Sequence, residues 1–158
     1  MSKISPCLWF SNEAEEAANL YVSLLPDSRI EKIQRNTIDS PGGKAGTVLV
    51  VDFTLAGQRF MALNGGMKME YTHAVSFMID CADQAEVDRY SRALTDGGEQ
   101  GPCGWVKDRF GLSWQVVPAR LMELLSDPDE ARAQRAMAAM LEMRKIDIAA
   151  VEEAASGE

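Results

Sequence analysis

At 158 residues the chain suits one domain or two tightly packed halves, and folding at this length buries roughly 68–70% of the unfolded surface, so a core needs no staple. Hydrophobic residues at 46% against 25% charged exclude disorder as the main state. Sixteen Lys and Arg against 24 Asp and Glu leave a net charge of −8, a field that disfavours both nucleic acid and an acidic membrane as partner.

No apolar run reaches the roughly 18–20 residues of a membrane span, and the N-terminus lacks the pattern of a signal peptide. Cys7, Cys81 and Cys103 are an odd number without a C-x-x-C pair, which fits neither a disulfide framework nor a zinc knuckle. With nine Met in the chain, the expected compartment is the reducing cytoplasm.

The first predicted element is the apolar strand Pro6 to Phe10. Ser11-Asn12 then offers a helix N-cap with Glu15 completing a capping box, and Ala14, Ala17, Ala18, Tyr21, Leu24 and Leu25 form one buried helical face. Pro26-Asp27 stops the helix. A polar-leaning strand is expected from Ile30 to Ile38, followed by a loop over Asp39 to Gly43. Thr47 to Leu55 and Gln58 to Asn64 read as a hairpin around Ala56-Gly57, and Gly65-Gly66 closes the first half.

The order then repeats. Ala74 to Ile79 reads as a strand, and Asp83 with Glu86 repeats the capping-box signature before a helical face of Val87, Tyr90 and Leu94. Gly97-Gly98 ends the helix. A short strand near Glu99 is weakly signalled, and Cys103 to Lys107 and Leu112 to Val117 are strands joined by the turn Asp108 to Gly111. The whole is an imperfect βαβββ repeat. After Pro118, Leu121, Leu124 and Leu125 mark a short helix. A second starts at Asp129 with Ala133, Ala136, Met137, Met140 and Leu141 on one face, and the tail from Ile146 is helical, then frayed. This extension is too short to stand alone and should pack on the sheets or on a partner subunit.

The stretches Cys7 to Phe10, Ala14 to Tyr21, Phe60 to Gly66, Ser76-Phe77, Asp83 to Asp88, Cys103 to Pro118 and Ala139 to Ile148 together resemble the PhnB-like branch of the vicinal oxygen chelate (glyoxalase/bleomycin-resistance) superfamily, whose members often carry the label 3-demethylubiquinone-9 3-methyltransferase. The resemblance covers nearly the whole chain. It implies an α+β fold of two βαβββ modules forming a cupped mixed β-sheet, here over residues 4–66 and 73–118 of a glyoxalase-like domain 1–118, with a C-terminal helical extension over 119–158. It also implies a homodimer. Enzyme members hold one divalent metal ion in the cup, where it acts as a Lewis acid on vicinal oxygens, while other members sequester small molecules.

Carried onto this chain, the first ligand position of that metal site falls near Pro6, which has no coordinating side chain, and Asn64 stands at the end of the module's last strand. His73 and Gln115 take the corresponding places in the second module, with Glu70 as a third ligand if its loop folds inward. Three protein ligands are the usual minimum for a catalytic zinc, so the set His73, Gln115 and Glu70 reads as a degenerate metal site. His73, the one histidine, reads either as ligand or base or as a polar residue at a strand start. Gln115 reads either as a ligand-orienting amide or as a hydrogen-bonded sheet residue.

Trp105, beside the Cys103-Gly104 bend, is the leading pocket aromatic, with Trp9 a second and Trp114 a core residue packed under a helix. Cys103 reads as an inert thiol and Lys107 to Arg109 as a solvated turn, Arg109 being a possible anion guide. The methyltransferase label fails a residue test: Leu63 to Gly66 follows a strand but leads into another strand, where a Rossmann-type cofactor site wants a helix. Two classes stay open. One is a small-molecule binding cup lined by Trp9, Asn64, Trp105 and Gln115; the other is a metal-dependent lyase, isomerase or dioxygenase.

Overall fold

In the computed structural model, which describes residues 2–157, the chain falls into two units, Met1–Glu70 and Tyr71–Glu158. Each contains one βαβββ module, so the fold class is α+β as expected. In the first unit β1 (Cys7–Phe10), α1 (Ala14–Leu24), β2 (Arg29–Arg35), β3 (Val48–Leu55) and β4 (Gln58–Asn64) form a sheet of order β1-β4-β3-β2. In the second, β5 (Phe77–Cys81), α2 (Gln84–Thr95), β6 (Glu99–Gln100), β7 (Trp105–Lys107) and β8 (Ser113–Pro118) form a sheet of order β5-β8-β7-β6. In both, the first strand runs parallel to the last and the remaining pairings are antiparallel.

Alternation along the strands decides which face is buried. Leu8 and Phe10 on β1, Val51, Phe53 and Leu55 on β3, and Phe60 and Ala62 on β4 are all buried. They meet Ala14, Ala17, Ala18 and Tyr21 of α1, where the three alanines bring the helix close to the sheet. Phe53 stacks on Phe60 with ring centroids 5.5 Å apart. The hairpin turn is Ala56-Gly57, with φ of 47° and 82°, the pair of left-handed residues that a tight two-residue turn requires.

The cap of α1 differs from the sequence expectation. Glu13 takes the N-cap position with no capping bond from its own side chain. Instead the Ala14 N–H donates to Asn64 Oδ1 at 2.9 Å, while Asn64 Nδ2 donates to the Val48 carbonyl at 3.0 Å. A residue 50 positions away thus satisfies a helix-end donor that local side chains leave open. In the second unit the cap forms locally as expected, Asp83 Oδ1 accepting from the Glu86 N–H, while Glu86 Oε2 reaches one residue beyond the cap to accept from the Ala82 N–H, both at 2.9 Å.

Three further boundaries move, and one turn differs in its burial. β2 ends at Arg35, because the buried Asn36 turns its side chain onto Thr47 Oγ1 (3.1 Å) and accepts from Ser40 Oγ (2.6 Å), drawing the chain into a loop and leaving Ile38 exposed. β5 begins at Phe77, since the Ala74 N–H turns back to Thr72 Oγ1 and His73 lies in a turn ahead of the strand. β7 starts at Trp105 after a 3-10 turn at Pro102–Gly104, where Cys103 and Gly104 are left-handed with φ of 56° and 84° and cannot continue a ladder. The turn Asp108 to Gly111 is not wholly solvated: Asp108 is buried and accepts from the Phe110 and Leu112 N–H groups and from Trp114 Nε1 (2.9 Å).

Three helices follow β8: α3 (Ala119–Leu125), α4 (Glu130–Leu141) and α5 (Ile148–Ser156). Val117, Leu121, Leu124, Ala136, Ile146, Val151 and Ala155 form one buried cluster, so the helices pack on the end of the second sheet. On α4 only Ala136 is buried; Met137 and Leu141, expected on its inner face, are about half-exposed. The tail is docked where fraying was expected. Asp147 caps α5 at the Ala150 N–H (3.1 Å), and Val151 and Ala155 are buried. The segment before it is stitched down twice: the Cys103 and Gly104 N–H groups donate to the Met143 and Arg144 carbonyls at 2.8 and 2.7 Å, and Gln84 bonds the Ile146 carbonyl and Ile148 N–H, each at 2.9 Å.

Two predictions follow from this packing. Asn64→Ala strands the Ala14 donor and the Val48 acceptor together, so it should cost about 1–3 kcal/mol or more, read as a melting midpoint lowered by roughly 2–4 °C per kcal/mol. Burial, and after it the nearby Glu86 and Asp80 carboxylates, push the Cys81 thiol up to about 12 from an ordinary 9.0. The folded chain therefore holds this proton over a range in which the unfolded chain has lost it, and the thiol's contribution to stability is present below about pH 9 and declines as pH rises toward 12. Urea unfolding of the wild type and Cys81→Ala across pH 8–11 should show the wild type losing stability relative to the variant above pH 9.

Candidate functional site

The second sheet presents one face to α2 and the other away from it. Trp114, Val116 and Pro118 alternate with Ser113, Gln115 and Val117 along β8. Register places Trp105 opposite Gln115, Lys107 opposite Ser113, and Glu99 opposite Lys107, so these residues share the second face. Val117, on that same face, is buried in the helical cluster, so the C-terminal helices close one end of it.

At the other end lies a cavity of about 380 Å³ lined by His73, Glu99, Gly101, Pro102, Trp105, Val106 and Lys107. Its size falls in the roughly 300–1,000 Å³ range of small-molecule pockets. His73 reaches the sheet through Nδ1, which lies 2.7 Å from Ser113 Oγ. That contact fixes the imidazole edge-on to the Trp105 indole, with centroids 5.8 Å apart and planes at 80°. With Nδ1 engaged, Nε2 is the ring nitrogen left to meet a ligand.

Trp105 is held from below. Gln100 Nε2 donates to the Gly101 and Trp105 carbonyls at 3.1 and 3.0 Å, and the Gly101 N–H donates to the Trp105 carbonyl at 2.7 Å. Arg144 also bonds the Gln100 carbonyl. Gly104 has a structural reason: a Cβ there would lie 2.8 Å from the Val116 carbonyl oxygen and 3.1 Å from Ile146 Cγ1. The helical extension thus reaches the pocket wall through the 102–104 turn.

The remaining candidates are distributed differently. Gln115 is half-buried, and its Nε2 donates to Ser76 Oγ at 3.0 Å. Trp9 and Asn64 belong to the first unit. Trp9 Nε1 donates to the Met67 carbonyl at 2.6 Å, and its ring covers Gly65, where a Cβ would fall 1.9 Å from Cζ2. Asn64 is buried with both ends of its amide on backbone. Glu70 is exposed at the end of the first unit, while His73 and Gln115 lie in the second.

A divalent ion needs a grouped donor set, and among the described residues no three His, Cys, Asp or Glu side chains are so grouped. In the second unit the expected set reduces to one imidazole nitrogen and one amide oxygen, two donors where a protein-held metal centre usually takes three or more. The thiols are poor nucleophiles where a shift is resolved: Cys81 is buried and raised, and burial followed by the Asp52 carboxylate raises Cys7.

Glu99, Pro102 and Lys107 went unrecognised as pocket residues in the sequence. For Lys107 a signal was available, since strand alternation from Trp105 puts it on the same face. The Ser113–His73 contact had none, because it spans 40 residues.

A family model described as 3-demethylubiquinone-9 3-methyltransferase matches residues 2–117. Among solved structures, the chain is 35% identical to a putative 3-demethylubiquinone-9 3-methyltransferase, PhnB protein, from Bacillus cereus, covering 75% of this chain and 100% of that one with a TM-score of 0.65. A protein from Staphylococcus aureus is 33% identical over 73% of this chain and 95% of its own, with a TM-score of 0.35. Protein PA1353 from Pseudomonas aeruginosa, 24% identical over 75% of this chain and 98% of its own, shares the fold with a TM-score of 0.59. No curated protein matches the chain. The match over residues 2–117, with full coverage of the Bacillus cereus PhnB protein, establishes that the chain belongs to the 3-demethylubiquinone-9 3-methyltransferase family and is PhnB-like.

Proposed function

We propose that this protein binds a small organic molecule, without a resident metal, in the second-unit pocket built on Trp105, His73 and Lys107. The observation that carries the reading is the 380 Å³ cavity with an aromatic wall, in which one histidine is oriented by a buried serine. Gln115 holds the neighbouring position on the same sheet face through Ser76, and we assign it to the floor of the site. Asn64 and Trp9 act on the first unit's structure in this reading, because their polar atoms are engaged with backbone.

Methyl transfer, the activity in the family's description, is left out of the reading. Gly65-Gly66 leads from β4 into an irregular segment with a turn at His73 and then β5, with no helix to receive a Rossmann-type cofactor. Cytoplasmic location is proposed on the three free cysteines, and no helix among the described residues is long and apolar enough to cross a membrane. A homodimer is proposed on the exposed apolar side chains of Met122, Met137 and Leu141 along α3 and α4.

A thermal-shift screen of organic ligands and divalent metals on chelator-treated protein tests this reading. A true pocket ligand at about 100 times its Kd adds about 2.7 kcal/mol, or roughly 5–11 °C at this chain length, and Trp105→Ala should abolish the rise. Metals should leave the midpoint unchanged. A metal-specific rise lost in His73→Ala would overturn the metal-free reading in favour of a metal-dependent lyase, isomerase or dioxygenase.

A further inference from the structure

We propose that the second-unit pocket selects a small aromatic monoanion, with its ring against the Trp105 indole and its negative group at Lys107 and His73. This rests on the binding reading above and adds the chemical class of the ligand.

Four observations point to that class. The first is the aromatic wall. Trp105 is half-buried, and Gly101 and Pro102 beside it bring no long side chain, so a flat ring meets an apolar surface. Gln100 directs its Nε2 to carbonyls of this same segment, which leaves the wall without a competing donor from that side chain.

The second is an uncommitted cation. Asp88 engages Lys145, Glu152 and Glu123 engage Arg120, and Asp52 engages Arg59, yet half-buried Lys107 forms no ion pair among the described residues. Its cross-strand neighbour Glu99 forms no ion pair with it, so the ammonium keeps its donors for an anion brought in from solution. Alternation from Trp105 sets this ammonium two residues along the same strand, on the same face.

His73 supplies the third. Its Nδ1 is engaged by the buried Ser113 hydroxyl, and in the tautomer in which that hydroxyl donates, Nε2 carries a proton and is a second donor for the same negative group.

The fourth limits the charge. Glu99 stands opposite Lys107 on the β6–β7 rung and also lines the cavity, so a second negative group on the ligand would meet a carboxylate. The volume, near the lower end of the pocket range, suits a ligand of one or two rings.

Isothermal titration of the full chain with 1-naphthoate and with its neutral isostere 1-naphthamide tests the assignment. The expected result is naphthoate bound at least about tenfold more tightly than the amide, the scale of one charge-assisted hydrogen bond. Lys107→Met should lower naphthoate affinity to the level of the amide and so remove that preference. Trp105→Ala should abolish binding of both probes, whereas Trp105→Phe, which keeps a ring, should retain the preference for the acid and so separate a lost wall from a lost fold. Equal binding of acid and amide, both lost in Trp105→Ala, would overturn the anion class and leave the pocket reading standing. Binding of neither probe, or binding indifferent to Trp105→Ala, would overturn this assignment, and failure of the wider ligand screen as well would remove the pocket reading itself.

Discussion

In each unit the first strand pairs in parallel with the last, and the remaining arrangement follows from that pairing. Two parallel neighbours cannot be joined by a tight turn, so the chain must leave the sheet, cross over as a helix, and return through the outer strands before it can insert the last one. The helix then covers one face of the sheet. The other face is left to whatever the strand residues pointing away from the helix can bind or pack against, and in the second unit this face holds the cavity.

The two units use the common topology differently. In the first, the face away from the helix carries the half-buried Trp9, Val50, Met61 and Leu63 and the Asp52 carboxylate, 3.5 Å from Arg59. Trp9 is drawn to one edge by its bond to the Met67 carbonyl. In the second, the chain after β8 supplies three helices that cover Val117, and the 143–146 segment holds the 102–104 turn in its left-handed conformation. The second repeat carries a pocket whose wall is set by residues far along the chain.

Buried polar side chains act as long-range fasteners throughout. Asn64 joins the end of β4 to the starts of α1 and β3, Asn36 gathers the loop between β2 and β3, and Asp108 collects three donors under the β7–β8 turn. Each is almost fully buried, where an unpaired amide or carboxylate is costly, and each therefore specifies one arrangement of the backbone around it. Asp108 also fixes the indole of Trp114, so the carboxylate that reads as part of a solvated turn belongs to the core.

Elements governed by short-range patterns were legible from the sequence. The hairpin around Ala56-Gly57, the Asp83 helix cap and the helical spacing of Val87, Tyr90 and Leu94 depend on residues within a few positions of one another. Family membership was legible for a related reason, since its signature lies in contiguous stretches such as Cys103 to Pro118. The cap on α1, the turn that replaces the start of β7, the docking of the tail, and the contact between His73 and Ser113 were not. They join residues 40 to 50 positions apart, or depend on the carbonyls of a distant segment, and a side chain's partner at that distance is chosen by the geometry of the folded sheet. The sequence by itself determined the repeated βαβββ order and the place of Trp114 in the core. Only the tertiary structure decided that Trp105, His73 and Lys107 share one pocket, because that requires the register of β7 on β8 and the return of the chain from the C-terminal helices.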